Sequence, residues 1–230
     1  MLIQTFPLTP FQQNTRIVAC EKSRRAVCID PGEASDELVG FINDNGLTLQ
    51  AITLTHGHMD HIGGTSDLAK SFPEAEIILH KDDEIMYYGL PQQPLMMGMP
   101  PAQLAALGFA YDVPPRLTRN WQHGEVYEVG DLRFSVRHCP GHTRGHVVFA
   151  AENEGTVFVG DCLFEGSIGR TDLPGGNYDQ LIESITNNIL NLDDETVVYS
   201  GHGPETTVGR ERATNPFLTG EYQPDRGRFL

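Results

Sequence analysis

The stretch Ala51-Ile52-Thr53-Leu54-Thr55-His56-Gly57-His58-Met59-Asp60-His61-Ile62-Gly63-Gly64 carries the reading of the whole chain. The β-rich run 51–55 predicts a strand that stops abruptly at His56, where four His or Asp side chains fall within six positions. Imidazole and carboxylate are the ligands of a borderline divalent cation, so this density marks a candidate metal loop rather than a polar turn. If the loop stays extended, period-two alternation projects His56, His58 and Asp60 to one side and turns His61 to the other, and one short loop would then serve two adjacent ions. Gly63-Gly64 lets the backbone turn sharply and predicts a helix starting near Gly64.

Three further donors stand where other β-rich runs end: His142 in Pro140-Gly141-His142-Thr143, Asp161 in Val159-Gly160-Asp161-Cys162, and His202 in Ser200-Gly201-His202-Gly203. Ligands on loops at one end of a rigid sheet allow a scaffold to hold a metal while keeping coordination positions open. Strands are predicted at 2–6, 15–20, 26–30, 76–80, 125–129, 132–138, 147–151, 156–159 and 196–200. A helix follows the Ser35 cap, with Leu38, Phe41 and Ile42 on one face and Asn45-Gly46 as its stop. The clearest helix is 178–192, where Leu181, Ile182, Ile185, Ile189 and Leu192 form one apolar stripe after Asn177. Two β-then-α blocks predict an α/β protein with two sheets between helices.

Residues 87–120 change character, because Pro91, Pro94, Pro100, Pro101, Pro114 and Pro115 interrupt any long helix. Apolar residues persist, so the segment reads as an insertion or lid within one domain spanning 1–230. Met96, Met97 and Met99, with Tyr87 and Tyr88, are expected to pack it.

Composition narrows the classes. The chain of 230 residues has 16 Lys plus Arg against 31 Asp plus Glu, a formal charge of −15, and 39% hydrophobic residues. Such a surface repels phosphate backbones and anionic lipid, so neither nucleic acid nor membrane is an expected partner. The first ten residues show no basic and apolar leader pattern, and the expected location is cytoplasmic. Cys20, Cys28, Cys139 and Cys162 lack any Cys-x-x-Cys spacing and read as reduced thiols.

Taken together, the Asp30-Pro31-Gly32 turn, T-H-G-H-M-D-H-I-G-G, P-G-H-T-R-G-H, V-G-D, G-R-T-D-L-P-G-G and S-G-H-G-P-E-T-T resemble a metallo-β-lactamase-fold hydrolase of the short, glyoxalase-II-like hydroxyacylglutathione hydrolase type. The resemblance implies an αββα sandwich of two mixed sheets flanked by helices. It implies a first metal held by His56, His58 and His142, a second held by Asp60, His61 and His202, and Asp161 bridging them. Asp60 and Asp161 would be the catalytic carboxylates and Arg170 a substrate contact. Two divalent ions (zinc, with iron or manganese as alternatives) about 3.5–4 Å apart would share a hydroxide that attacks a small-molecule thioester such as a glutathione conjugate. The leaving thiol, with a pKa near ~8.5, departs without a strong general acid. Asp30 is expected to hydrogen-bond a metal histidine. Cys162 would be a buried structural thiol pointing away from Asp161, and His138 and His146 would be supporting rather than ligating residues. His80 and His123 read as ordinary polar residues. The glutamate of flavodiiron-like members is replaced here by His58, and the cysteine of the commonest zinc β-lactamases by Asp161, which weakens both of those readings. The rival is a persulfide dioxygenase, which resembles the chain in the same motifs and would use one iron on His56, His142 and Asp161.

Overall fold

The computed structural model describes residues 1–98 and 100–222; Met99 of the methionine cluster lies outside the described residues. The first sheet consists of β1 (Leu2–Leu8), β2 (Gln13–Ala19), β3 (Arg25–Ile29), β4 (Thr48–Thr53), β5 (Glu76–His80) and β6 (Arg119–Trp121), side by side in chain order. β1 to β3 are antiparallel neighbours, whereas β3 to β6 run parallel. The second sheet takes β7 (Val126–Val129), β8 (Leu132–His138), β9 (Val147–Ala151) and β10 (Thr156–Gly160). After a short hairpin of β11 (Leu163–Phe164) and β12 (Ser167–Ile168) it adds β13 (Val197–Ser200) and β14 (Thr206–Thr207). Its strands β7 to β10 meander antiparallel, β13 joins β10 in parallel, and β14 closes the edge antiparallel to β13.

Side-chain alternation explains the layering. In β9, Val147, Phe149 and Ala151 face the other sheet, meeting Val18, Val27, Ile78 and Trp121, while Val148 and Ala150 face outward. Three apolar layers result, one between the sheets and one under the helices on each outer face. Helices α1 (Asp36–Asp44), α2 (Met59–Ile62), α3 (Thr65–Ser71) and α4 (Glu84–Tyr88) cover the first sheet through Leu38, Ile42, Ile62, Leu68 and Tyr87. α5 (Pro101–Ala106) lies in the proline-rich segment. α6 (Tyr178–Asn188) and α7 (Val208–Thr214) cover the second sheet through Leu181, Ile185 and Val208, with α8 (Pro216–Thr219) following. This is the αββα sandwich of two mixed sheets. No helix among the described residues is long and apolar enough to cross a membrane.

Local signals locate the starts of α1 and α6. Ser35 accepts from the Leu38 amide and Asn177 from the Gln180 amide, each satisfying an amide that has no partner within its helix. Burying an Ile or Leu stabilises by roughly 1.5–3 kcal/mol, against a propensity cost for Ile of at most about 0.7 kcal/mol, so the stripe of α6 outweighs its β-branched composition. The helix ends earlier than the periodicity predicts, because the Leu190 amide bonds back to Ile185 O and closes the last turn at Asn188. Leu192 still reaches the core, from a turn. Strand β6 is not visible in local periodicity; it exists because Ile78–His80 offers a parallel partner and Trp121 is fully buried. The methionines depart from expectation. Leu90, Pro94 and Leu104 fill the inside of the proline-rich segment, leaving Met96 and Met97 exposed rather than packing it. Of the tyrosines, Tyr87 is buried and donates to Pro115 O.

Candidate metal centre

Strands β8, β10 and β13 point the same way, since β8 and β10 both run antiparallel to β9 and β10 is parallel to β13. Their C-terminal ends therefore emerge at one edge, delivering His142, Asp161 and His202 together. From the other sheet β4 delivers Leu54, Thr55 and then His56. Two apposed sheet edges thus bring six of the seven predicted donors together as two groups, within each of which the ligand atoms lie within 4.8 Å of one another: His56, His58 and His142, and Asp60, His61 and His202.

The path through the first loop differs from the extended reading. Alternation stops at His58, which becomes the cap residue of α2, so Asp60 and His61 project from a helical turn. The turn is closed by Ile62 N–H to His58 O at 3.1 Å and anchored by Gly64 N–H to Pro31 O at 2.8 Å. A rotation of about 100° per residue, not strand alternation, separates His61 from His58.

Asp161 lies between the two groups. Its Oδ1 is 3.3 Å from His61 Nε2, and its Oδ2 is 3.6 Å from His202 Nε2 and 3.8 Å from His142 Nε2. His202 Nε2 is 3.1 Å from Asp60 Oδ2, and His58 Nδ1 is 2.9 Å from His142 Nε2. Gly201 must lack a side chain, because a Cβ there would lie 2.2 Å from Asp161 Oδ1.

The donors fit a cation on two counts. His56 Nε2, His61 Nε2 and Asp161 Oδ1 are buried without a hydrogen-bond partner among the described residues, a costly state for an empty interior. Separations near 3.3 Å suit neighbouring ligands that each bond a common ion at about 2.0–2.2 Å. The far nitrogens are also held: His61 Nδ1 by Asp30 Oδ2 at 3.0 Å, His142 Nδ1 by Arg170 O at 2.8 Å, His202 Nδ1 by Phe11 O at 3.1 Å and His56 Nδ1 by Thr55 Oγ1 at 3.0 Å. With an acceptor at each Nδ1, each Nε2 lone pair is left to face the cluster. Asp30 also accepts from the Thr55 amide and hydroxyl, so it orients His61 and stabilises the turn together.

Electrostatics divide the cluster. Burial pushes His56 and His142 below their ordinary values, and burial with the neighbouring His142 takes His58 down to about 3, which favours the lone-pair form that a cation needs. Burial opposes the charge on Asp161, yet the surrounding His61, His142 and His202 hold its carboxyl far below the usual range. Burial likewise disfavours a charged His61, but Asp161 and Asp60 raise it well above the ordinary histidine value. His56, His61, His142 and Asp161 are buried, whereas His58, Asp60 and His202 are partly exposed, which leaves the centre open on one side.

Three supporting residues escaped the sequence reading. Asn14 Nδ2 donates to Ser200 O at 3.1 Å and Gly203 O at 2.9 Å, tying β2 to the His202 loop; among its polar neighbours Gln13, Thr15 and Arg16 no local signal marked it. Asp83 is fully buried beside Gly57 and Gly145, although K-D-D-E reads as surface. Gln93 reaches from the proline-rich segment, its Oε1 accepting from Met59 N–H at 2.9 Å and its Nε2 donating to Gly57 O at 2.7 Å. It therefore grips the peptides on both sides of His58. Gln93→Ala leaves both groups unpaired and is expected to lower stability by about 2 kcal/mol, measured by urea unfolding. A change within 0.5 kcal/mol would mean that water replaces the side chain freely.

The Arg170 side chain forms an exposed bidentate pair with Asp172, at 2.8 Å for both bonds. Cys162 is buried, with its Sγ 3.4 Å from Cys139 O and 3.2 Å from His146 Nδ1. His146 accepts the Asp161 amide on Nε2 at 3.1 Å and stacks on His56. His80, Asp82 and His138 also approach one another, but the two rings stack nearly parallel at 4.2 Å, so their in-plane lone pairs do not converge on one ion.

The profile of the Metallo-beta-lactamase superfamily matches residues 8–202. Hydroxyacylglutathione hydrolase GloC of Haemophilus influenzae is 36% identical over 95% of this chain and 98% of its own. Among solved structures, BLEG-1 B3 metallo-beta-lactamase superposes with a TM-score of 0.82 at 36% identity, covering 95% of this chain and 100% of its own. TTHA1623 in a di-iron-bound form gives 0.81 at 37%, covering 94% and 100%. ETHE1 from Myxococcus xanthus gives 0.76 at 27%, covering 96% and 85%.

Proposed function

We infer that this chain, which belongs to the metallo-beta-lactamase superfamily and is a metal-dependent hydrolase, cleaves thioesters of the S-lactoylglutathione type at a dinuclear centre. One observation carries the reading: the Asp161 carboxylate stands within 4 Å of His61, His142 and His202 and so belongs to both ligand groups at once. His56, His58 and His142 would hold one ion, Asp60, His61 and His202 the other, and Asp161 both. Bound zinc, iron or manganese would supply Lewis acidity and a water of near-neutral pKa. The likeness to GloC supports the thioester, and the di-iron form of TTHA1623 supports two ions.

The chain's own residues define the rest. Asp60, partly exposed and 3.1 Å from His202, faces the open side, where it would orient the attacking water and accept its proton. Arg170 would exchange Asp172 for a substrate carboxylate, which a guanidinium binds in the same bidentate geometry. The acyl portion would lie in the cavity of about 230 Å³ lined by Pro94, Leu104, Phe109 and Tyr111, where the Tyr111 ring abuts Gly63 at the end of α2. In this reading residues 1–230 form one domain, and 87–120 is an insertion docked on the metal loop through Gln93.

Turnover on a panel, after metal quantification, tests the proposal: S-lactoylglutathione, simple acyl thioesters, a β-lactam, and glutathione persulfide with oxygen uptake followed. Thioester hydrolysis with two ions per chain is the expected result. Faster β-lactam hydrolysis would transfer the reading to the BLEG-1 activity. The structural likeness to ETHE1 keeps the persulfide dioxygenase as a second reading, and persulfide-dependent oxygen uptake with a single iron and no thioester turnover would establish it instead.

A further inference from the structure

The geometry points to Asp83 as a positioning residue that cross-braces the His56, His58 and His142 ligand group, an inference that rests on the metal-centre reading above. Its side chain is fully buried and accepts from both loops that carry the group. Oδ2 takes the Gly57 amide at 3.0 Å and the Thr143 hydroxyl at 2.6 Å, and Oδ1 takes the Gly145 amide at 2.7 Å. Gly57 lies between His56 and His58, and Thr143 adjoins His142. One carboxylate thus ties a loop from the first sheet to a loop from the second.

Two features show that this arrangement is not incidental packing. Asp83 occupies the cap position of α4, where an aspartate ordinarily accepts from its own helix, yet its side chain makes no cap bond there. All of its acceptor capacity in the described contacts goes to the metal loops. The loops in turn are shaped to it: a Cβ at Gly145 would lie 2.6 Å from Asp83 N and 2.8 Å from its Oδ1, so only glycine admits the approach.

The charge type matters as much as the shape. Three donors converge, and an ionised carboxylate accepts with both oxygens. Asparagine has one acceptor oxygen and a donor NH₂; whichever way it turns, the NH₂ faces the Gly57 amide or the Gly145 amide. Asp83→Asn therefore leaves one loop amide facing a donor and without its acceptor, which weakens the brace with little change in volume. The second group, Asp60, His61 and His202, is held by Asp30 and Phe11 O instead and does not depend on this brace.

The test is cobalt(II) titration of metal-stripped full-length protein, followed by the ligand-field absorption bands, with total metal counted in parallel. The wild type is expected to bind two equivalents. Asp83→Asn is expected to bind one with unchanged affinity and the other at least 10-fold more weakly, the lost bands being those also lost in His142→Ala. Thr143→Val removes one of the three donors and is expected to show the same selective weakening, two- to fivefold; this keeps the inference testable if Asp83→Asn does not fold. Unchanged affinities in a folded Asp83→Asn or Thr143→Val, or equal loss at both positions, would overturn it. A wild type that binds one equivalent sinks the dinuclear reading, while the weakening or constancy of that single ion in Asp83→Asn still decides the role of Asp83.

Discussion

Asp161→Ala is expected to bind neither ion at stoichiometric concentration and to reduce thioester turnover by about 10³-fold or more. The reason is position: Asp161 is the carboxylate that touches imidazoles of both groups, its Oδ1 lying 3.3 Å from His61 Nε2 in a buried setting. A Lewis acid contributes several kcal/mol of transition-state stabilisation, and each ~1.4 kcal/mol is a factor of ten in rate. The adjacent Cys162→Ala is the control. Its thiol lies among Cys139, Leu163 and Ile185 in the layer beneath α6, so it should keep turnover within about threefold and lose on the order of 1 kcal/mol of stability. Metal content by elemental analysis and initial rates read both variants. Equal losses in the two would show that the segment merely supports the fold.

Stripping the wild-type protein with a chelator should abolish turnover and markedly lower its melting temperature. Without cations, Asp161 Oδ1, His56 Nε2 and His61 Nε2 stay buried and unpaired, so the folded state loses its compensation for desolvating them. An ion present at about 100 times its Kd adds about 2.7 kcal/mol, and at this chain length 1 kcal/mol shifts the midpoint by about 2–4 °C. Two ions therefore predict a fall on the order of 10–20 °C, reversed by returning the metal. Calorimetry of the stripped and reloaded protein checks this. An unchanged midpoint with full activity would mean that the cluster is not a metal centre.

Much of the scaffold was readable locally because alternation and caps act over a few residues. Strands Glu76–His80, Leu132–His138 and Val147–Ala151 match their predicted bounds, and Ser35 and Asn177 cap as expected. The metal loop was recognisable by donor density alone. Its internal path was not, since the choice between an extended segment and α2 depends on Gly64 bonding to Pro31, over thirty positions earlier in the chain. The methionines misled for a related reason. Apolar character says that a residue gains from burial, not that space remains once Leu90, Pro94 and Leu104 have filled it. Arg170 illustrates a third case, where the backbone rather than the side chain touches the centre, through its carbonyl on His142.

The amino-acid order alone determined which donors stand at the ends of strands, because an apolar run and the polar break after it are properties of consecutive residues. Which donors meet, that Asp161 stands between two groups and that Asp30 holds a histidine were anticipated by the family resemblance, whereas only the folded chain decided that Asp83 and Gln93 hold the loops in place. Those relations depend on strand direction, on the packing of two sheets face to face, and on hydrogen bonds that are worth forming only in a buried interior. Each joins residues far apart along the backbone, where periodicity carries no information.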